Sequence, residues 1–417
     1  MLSRREFAGG AAALATALST GARAQAPQEV KIGALYPLSG ASAQIGNDAK
    51  TAFETAVDII NNAHPELDLP LGKEPGLPGL GGAKIRVIYA DHQGDPQKGR
   101  AEAERLITQE KVTALVGTYQ SAVAATVSQT AERYGVPFLS ADNSSPSLHR
   151  RGLKYFFRAA AHDEMFSAIM FDFLDSLKKK GQKVETLALF YEDTIFGTDS
   201  SNVQRKLAGE RGYKLVADIK YRANSPSLTA EVQQLKAANA DVLLPSSYTT
   251  DSILLVKTMG ELGYKPKAIL AQAAGFSEQT FVDAVGKQVE NYITRGSFSL
   301  DLARKRPTVG KVNEMFKAKS GRDLNDNTAR EFMALLLLAE AIDRAKSTDG
   351  AKIREALATT NIPGEKTIMP WKKVGYAETG QNNDADPVLL QYTGGKFLTI
   401  FPEQAAVAEA VWPMSKS

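Results

Sequence analysis

Short apolar runs alternate along the chain with longer segments in which apolar residues recur at helical spacing. The apolar runs, which predict strands, are residues 30–36, 84–90, 112–117, 136–139, 186–191, 214–221, 241–244, 267–271 and 292–298. The segments with helical spacing include residues 47–62, 97–110, 122–134, 228–238 and 250–262. Strands that alternate with helices in this way predict parallel sheets covered by helices on both faces.

Three segments depart from this alternation. The most apolar run, 335–339, lies within a helical pattern that begins near Asn327, which predicts a buried core helix. Residues 64–82 are rich in proline and glycine and predict a surface loop. Residues 388–401 predict a hairpin with a Gly-Gly turn. Since one sheet for this length would need about ten strands, two sheets in two lobes are expected.

Two polar loops follow neighbouring predicted strands within residues 112–148. After the first strand a short turn leads to Ser121, a candidate N-cap for the next helix. The second strand ends in the loop 140–145, SADNSS. Ligands of open α/β sheets bind outside the carboxyl ends of the strands, where a helix N-terminus offers unpaired N–H groups. We therefore expect an anion site at these loops, unless Ser121 merely caps its helix.

The first 24 residues have the features of an export signal. Arg4 and Arg5 precede the apolar run 8–18, and Ala22 and Ala24 match an A-x-A cleavage site. The apolar run is too short to span a bilayer. The paired arginines are typical of a twin-arginine signal, and they also fit the basic start of an ordinary secretory signal. We expect cleavage near Ala24 and a mature protein in the periplasm.

Composition argues against several function classes. The formal net charge is only +3, which argues against nucleic acid or a membrane surface as partner. With no cysteine, the chain has no disulfide, thiolate metal site or cysteine nucleophile. The four histidines lack metal-ligand spacing, and neither a Walker loop nor a nucleophile elbow is present. We expect no metal, no cofactor and no enzymatic activity.

Several segments form an ordered series along nearly the whole mature chain. They are IGALYPLSG, YADHQGDP, GTYQS, VPFLSADNSSPSL, FFRAAAHD, FYEDTIFGTDSSNV and PSSYTTDS. In this order they resemble the Leu/Ile/Val-binding protein family, the periplasmic receptors of branched-chain amino-acid ABC transporters. The resemblance implies an α/β fold of the type I periplasmic binding protein class, with two Rossmann-like lobes joined by three hinge strands and the ligand in the interlobe cleft. The implied N-terminal lobe is 27–160 plus 298–365, and the C-terminal lobe is 161–297 plus 366–417.

The resemblance also implies a set of ligand-binding residues. Ser121 matches a serine that holds the ligand carboxylate, Ser144 a hydroxyl that contacts it, and Asp142 a position whose backbone carbonyl accepts the ligand ammonium. Phe196 and Tyr248 match aromatic positions on the facing lobe. The full candidate set is Tyr119, Ser121, Ala122, Asp142, Asn143, Ser144, Asp163, Phe196, Tyr248 and Ala274.

Two departures from the family pattern change the expected ligand. The acidic residue that pairs with the ligand ammonium falls near Ala274, where this chain has no carboxylate, and Ile45 replaces an aromatic residue at the cleft mouth. A buried ammonium without a paired charge is costly. We therefore expect a small carboxylate or amide with an aliphatic or aromatic body. The alternative ligand is an amino acid, if Asp142 or Asp163 supplies the charge that pairs with its ammonium. The alternative role for Asp142 is to cap the next turn, and that for Asp163 is to cap the following helix.

Three function classes follow from these features. The resemblance favours a monomeric solute receptor that delivers its ligand to the membrane permease of an ABC importer. The same binding core also fits a sensory module that serves a signalling partner. A periplasmic enzyme is disfavoured by the missing catalytic motifs.

Overall fold

The computed structural model describes residues 27–414, so the predicted export signal lies outside the described residues. The strands are β1 Glu29–Tyr36, β2 Lys84–Asp91, β3 Ala114–Gly117, β4 Phe138–Ser140, β5 Phe156–Arg158, β6 Thr186–Glu192, β7 Lys214–Tyr221, β8 Val242–Ser246, β9 Ala268–Ala271, β10 Ile293–Gly296, β11 Ile362–Pro363, β12 Lys373–Val374, β13 Val388–Thr393 and β14 Lys396–Phe401. The α-helices are α1 Ala43–Asn61, α2 Pro96–Thr108, α3 Ser121–Tyr134, α4 Asp163–Lys179, α5 Ile195–Glu210, α6 Thr229–Ala238, α7 Thr249–Glu261, α8 Gln279–Val285, α9 Pro307–Ser320, α10 Asp326–Ala345 and α11 Gly350–Ala358.

The first lobe is built on a sheet with the strand order β2-β1-β3-β4-β5. Its neighbouring strands all pair in parallel, as alternation with helices requires. The parallel direction brings the carboxyl ends of β1, β3 and β4 to one edge, and the loops after β3 and β4 meet there. The predicted strand ends are therefore neighbours in space.

Helix α10 forms the centre of the first-lobe core. Every residue from Asp326 to Ala339 is buried, and the helix packs against α1 on one face of the sheet. A helix that is apolar on nearly all sides is stable only when neighbours cover it. The predicted core helix at 335–339 is confirmed, and its polar first turn points towards the other lobe, where Asn327 lines the cleft.

The second lobe has a sheet with the strand order β14-β13-β10-β9-β8-β6-β7. Strands β6 to β10 pair in parallel, while β13 runs antiparallel to β10 and forms the predicted hairpin with β14. Buried apolar side chains pack on both faces of this sheet. The two-lobed α/β architecture expected from the sequence is confirmed.

Within residues 27–414 the chain passes between the lobes three times. The crossings lie at residues 159–162, 297–299 and 386–387, between elements of the first core and strands or helices of the second lobe. Because these three connections are short, hinge motion between the lobes needs few backbone changes.

The segment 366–385, assigned to the second lobe from the sequence, packs with the first lobe instead. Ile368, Met369, Trp371 and Val374 are buried in the first-lobe core. The cause is the short antiparallel pairing of β11 with β12, which holds the segment against the lobe that carries α11.

The loop 64–82 also differs from its prediction. Its leucines are at most 6% exposed and lie in the first-lobe core. The loop is irregular because of its proline and glycine content, but its apolar side chains still need burial. Among residues 27–414, no helix has both the length and the apolar character needed to cross a membrane.

Candidate functional site

The N-terminus of α3 opens into the cleft between the lobes. β3 ends at Gly117, whose φ of 132° and whose approach to the Leu35 carbonyl oxygen leave no room for a Cβ atom. The N-cap of α3 is Gln120, and its side chain makes no capping hydrogen bond. Ser121 is therefore the first helical residue, so the prediction that Ser121 caps the helix is wrong. Its backbone N–H has no acceptor within the helix and faces the cleft.

That N–H donates to a residue of the opposite lobe. The Ser121 N–H donates to the Tyr248 hydroxyl, with the N and O atoms 3.3 Å apart. The Tyr248 ring lies 5.0 Å from the Tyr119 ring and 5.2 Å from the Phe196 ring, measured between centroids. The three rings form an aromatic cover whose central hydroxyl reaches the helix N-terminus. A ligand oxygen at this N–H would take the place of the Tyr248 hydroxyl.

The loop after β4 is held beside α3 by Asn143. The Asn143 side chain accepts from the Thr118 N–H at 3.1 Å and donates to the Tyr119 carbonyl at 3.0 Å. Both contacts tie the two polar loops together. The side chain of Asn143, a predicted ligand-binding residue, positions these loops.

A small cavity between the lobes collects most of the predicted residues. It is lined by Tyr119, Ser121, Asp142, Ser144, Phe196, Tyr248, Ala274, Arg295, Asn327 and Arg330. Of the other predicted residues, Ala122 lies on a wider outer part of the cleft. Ile45 is 4% exposed in the first-lobe core and does not line the cavity, so its proposed effect on the mouth is wrong.

Asp163 lies beneath the cavity at the start of α4. Its Oδ1 accepts from Gln272 at 3.0 Å, and its N–H donates to the Ser144 carbonyl at 2.8 Å. The N-cap of α4 is His162, whose ring accepts from the Glu164 N–H, so the alternative role of Asp163 as the helix cap is wrong. Burial raises the pKa of Asp163, against the opposing effect of Arg295. Asp163 therefore links the two lobes and does not cap α4.

Arg330 of α10 is held in place by two carboxylates. Its Nη2 lies 3.0 Å from Oδ2 of Asp326, and its Nη1 lies 3.5 Å from Oδ1 of Asp142. The same Nη1 donates to the backbone carbonyl of Asp142 at 3.1 Å. The other carboxylate oxygen of Asp142 accepts from the Tyr36 hydroxyl at 3.0 Å. Asp142 is therefore bonded to Arg330 and Tyr36, and its carbonyl already has a cationic donor.

Arg295 of β10 is the second buried guanidinium in the cavity wall. It is 2% exposed, and its guanidinium lies 3.7 Å from the centre of the Phe166 ring. Its nearest carboxylate oxygen in the described chain belongs to Asp326, 3.8 Å away. Its Nε and Nη1 donate no hydrogen bond to any residue within 27–414. Burial, together with Arg330, lowers the pKa of Arg295 to about 10.

Burial raises the pKa of two further carboxyl groups near the cavity. Burial raises the pKa of Glu278 to about 8, and Asp48 and Asp142 add to this effect. Burial and the neighbouring Asp142 hold the pKa of Glu331 well above its ordinary value. Both shifts favour the protonated, uncharged form of these two carboxyl groups.

Replacing Glu278 with glutamine is expected to flatten the pH dependence of stability between about pH 5 and pH 8. Because the folded pKa is raised from 4.5 to about 8, the folded protein keeps a proton that the unfolded chain loses. This contribution is fully present below pH 4.5 and is lost as the pH rises to about 8. Thermal unfolding at pH 5 and pH 8 checks this. The melting temperature of the variant, relative to that of the parent protein, should be higher at pH 8 than at pH 5.

The matched control is Glu54→Gln on α1, which removes a carboxylate that is 49% exposed. This control should follow the parent at both pH values. If Glu278→Gln and the parent lose stability equally between the two pH values, Glu278 does not hold the proton.

Arg295, Asn327 and Arg330 were not among the ligand-binding residues predicted from the sequence. Arg295 could have been found as a charged residue inside the apolar strand run 292–298. Arg330 could have been found as a charged residue inside an apolar helix. Which carboxylates they meet depends on the packing of α10 against the cleft. Among the residues described, no group of three or more histidine, aspartate or glutamate side chains is arranged to hold a metal ion.

Comparison with known proteins gives consistent results. Residues 29–396 match the profile of the periplasmic binding protein family. The Leu/Ile/Val-binding protein homolog 7 of Brucella suis biovar 1 (strain 1330) is 29% identical over 414 residues, which cover 96% of this chain and 98% of that protein. The leucine binding protein LivK of Thermotoga maritima has a similar structure, with a TM-score of 0.76, 20% identity, and coverage of 89% of this chain and 97% of that chain. A solute binding protein of an ABC transporter from Rhodopseudomonas palustris BisB5, solved with 3,4-dihydroxybenzoic acid, has a TM-score of 0.74, 17% identity, and coverage of 93% and 99%.

Proposed function

The chain belongs to the periplasmic binding protein family, and on that premise we propose that it is the solute receptor of an ABC importer. It binds a small carboxylate with an aliphatic or aromatic body in the interlobe cleft and delivers it to a membrane permease. It acts by binding instead of catalysis, is exported through its N-terminal signal with cleavage near Ala24, and works as a monomer.

The observation that carries this proposal is the uncapped N-terminus of α3. The Ser121 N–H faces the cleft, and the only partner described for it is the Tyr248 hydroxyl of the opposite lobe. A helix N-terminus with free N–H groups favours a negative charge. A ligand carboxylate at this position would contact both lobes and so favour the closed cleft.

The position of Arg330 supports a ligand without an α-amino group. By resemblance, the Asp142 carbonyl is the acceptor for a ligand ammonium, but here it accepts from the Arg330 guanidinium at 3.1 Å. Arg330 is also paired with the Asp142 carboxylate. A second cation at this point would be repelled by the first, and no charged acid at Ala274 compensates for it.

An amino acid is the alternative ligand, and two oxygen atoms favour it. Oδ1 of Asp142 and Oδ2 of Asp163 accept no hydrogen bond from the residues described. These atoms could accept N–H donors from an ammonium group. The LivK relative is a leucine binding protein, whereas the Rhodopseudomonas palustris relative was solved with an aromatic acid, so related proteins provide examples of both classes.

A matched ligand series separates these two possibilities. Leucine, α-ketoisocaproate and isocaproate share one aliphatic body and a carboxylate, and only leucine carries an ammonium. We expect calorimetry on the purified mature protein to show tighter binding of at least one amine-free acid than of leucine. Phenylpyruvate and phenylalanine repeat the comparison for an aromatic body.

The variant Asp142→Asn provides the control for charge. If leucine binds more tightly than both amine-free acids and loses this preference in Asp142→Asn, the ligand is an amino acid. If none of the carboxylates binds, the proposed receptor function for small carboxylates is wrong.

A further inference from the structure

Arg295 stands out because its charge is buried without compensating hydrogen bonds. Its Nε and Nη1 have no partner among residues 27–414, although the side chain is only 2% exposed. The Asp326 carboxylate 3.8 Å away and the Phe166 ring offset part of the cost of burying this charge, but leaving its N–H donors without acceptors is still costly. The nearest carboxylate, that of Asp326, is already bonded to Arg330 at 3.0 Å.

A second buried arginine of the same protein shows what a structural guanidinium looks like. Arg158 is 0% exposed, and its Nε donates to Gln381 at 2.6 Å. Its Nη1 donates to the carbonyls of Asn143 and Ser145 at 2.9 and 2.8 Å. Arg158 therefore stabilises the fold, whereas Arg295 has equal burial without these bonds.

The location of Arg295 indicates what its free donors serve. The side chain lines the same small cavity as Ser121, but it belongs to β10 of the second lobe. Its neighbours are Phe166 and Asp326, while the Ser121 N–H contacts Tyr248. The cavity thus has two separate groups of donors, one contributed by each lobe.

We propose that Arg295 binds a second oxygen acceptor of the ligand, such as a carbonyl or a second carboxylate. This rests on the proposed function, in which the first carboxylate binds at the N-terminus of α3. Because a guanidinium only donates, it selects an acceptor group and rejects an ammonium. The preferred ligands are therefore oxo acids or dicarboxylates with a compact body, and Arg295 determines that specificity.

Matched acids test this selection in the purified mature protein. The pairs are α-ketoisocaproate against isocaproate, and glutarate against valerate, in which only the first member has the second acceptor. We expect the parent protein to bind the first member of at least one pair roughly tenfold more tightly or better. Arg295→Gln should abolish this preference while isocaproate or valerate binding changes little.

Thermal unfolding without ligand is a second measurement, and it distinguishes a ligand-binding arginine from one that stabilises the fold. Because Nε and Nη1 of Arg295 make no hydrogen bond and Asp326 keeps its bond to Arg330, the melting temperature of Arg295→Gln should equal that of the parent or exceed it. Arg158→Gln, the matched control, should melt at a lower temperature because it breaks bonded contacts. Arg295→Lys keeps the charge without the planar fork and should lose most of the preference.

The possible failures can be distinguished. Equal binding of both members of each pair by the parent, or an unchanged preference in both Arg295 variants, would overturn the role of Arg295 and leave the receptor function intact. A loss of stability in Arg295→Gln as large as that in Arg158→Gln would also overturn it. If no acid in the series binds the parent, both the proposed function and this inference are wrong.

Discussion

Replacing Arg330 with methionine is expected to lower the free energy of unfolding by about 3–5 kcal/mol. The guanidinium is 2% exposed and lies 3.0 Å from the Asp326 carboxylate and 3.5 Å from that of Asp142. Methionine fills much of the same space but removes the guanidinium that pairs with both carboxylates, so Asp142 loses its cation and Asp326 is left with Arg295 at 3.8 Å. Denaturant unfolding of the ligand-free protein, followed by circular dichroism, measures the difference.

Two further variants show whether charge pairing is the cause. Adding Asp326→Asn to Arg330→Met removes one of the two carboxylates that lost the Arg330 guanidinium, so the double variant should recover part of the lost stability. Arg205→Met, which breaks a surface pair with Asp218, should cost about 1 kcal/mol or less. If Arg330→Met costs no more than Arg205→Met, the buried carboxylates do not depend on Arg330.

Replacing Ser121 with alanine is expected to weaken carboxylate binding by roughly tenfold or more without unfolding the protein. A hydrogen bond to a charged group contributes about 1.5–3 kcal/mol, and the variant removes one hydroxyl donor. The backbone N–H that donates to Tyr248 remains, and the side chain does not cap α3, so the helix keeps its start. Calorimetry with α-ketoisocaproate gives the change in dissociation constant.

Thr130→Val is the control in the same helix. Thr130 donates to the Thr126 carbonyl within α3, away from the cavity, so its loss should not affect binding. Unchanged affinity in Ser121→Ala, with the protein still folded, would contradict the position of the ligand carboxylate at this helix.

The sequence by itself determined the two-lobed α/β fold and the location of the cleft. Apolar runs that alternate with helical segments require parallel sheets, and parallel strands bring their carboxyl ends to one edge. The turn before Ser121 and the loop 140–145 therefore had to be neighbours. Local pattern was sufficient here because strand direction and the order of elements follow from short stretches of chain.

Packing decided which lobe several segments join. Residues 366–385 have too little regular periodicity to reveal their partner, and only the pairing of β12 with β11 places them in the first lobe. Packing against the first-lobe core likewise buries the leucines of the loop 64–82. A composition rich in proline and glycine predicts an irregular backbone, but it does not exclude contacts between apolar side chains and a helix distant in sequence.

The electrostatics of the site were decided only by the tertiary structure. Arg295 and Arg330 are visible in the sequence as charges within apolar runs, yet their different roles depend on which carboxylates lie within reach. Arg330 forms ion pairs with Asp142 and Asp326, whereas Nε and Nη1 of Arg295 donate no hydrogen bond to the residues described. Charge energies change steeply with distance and burial, and these are properties of the folded chain that no local pattern encodes.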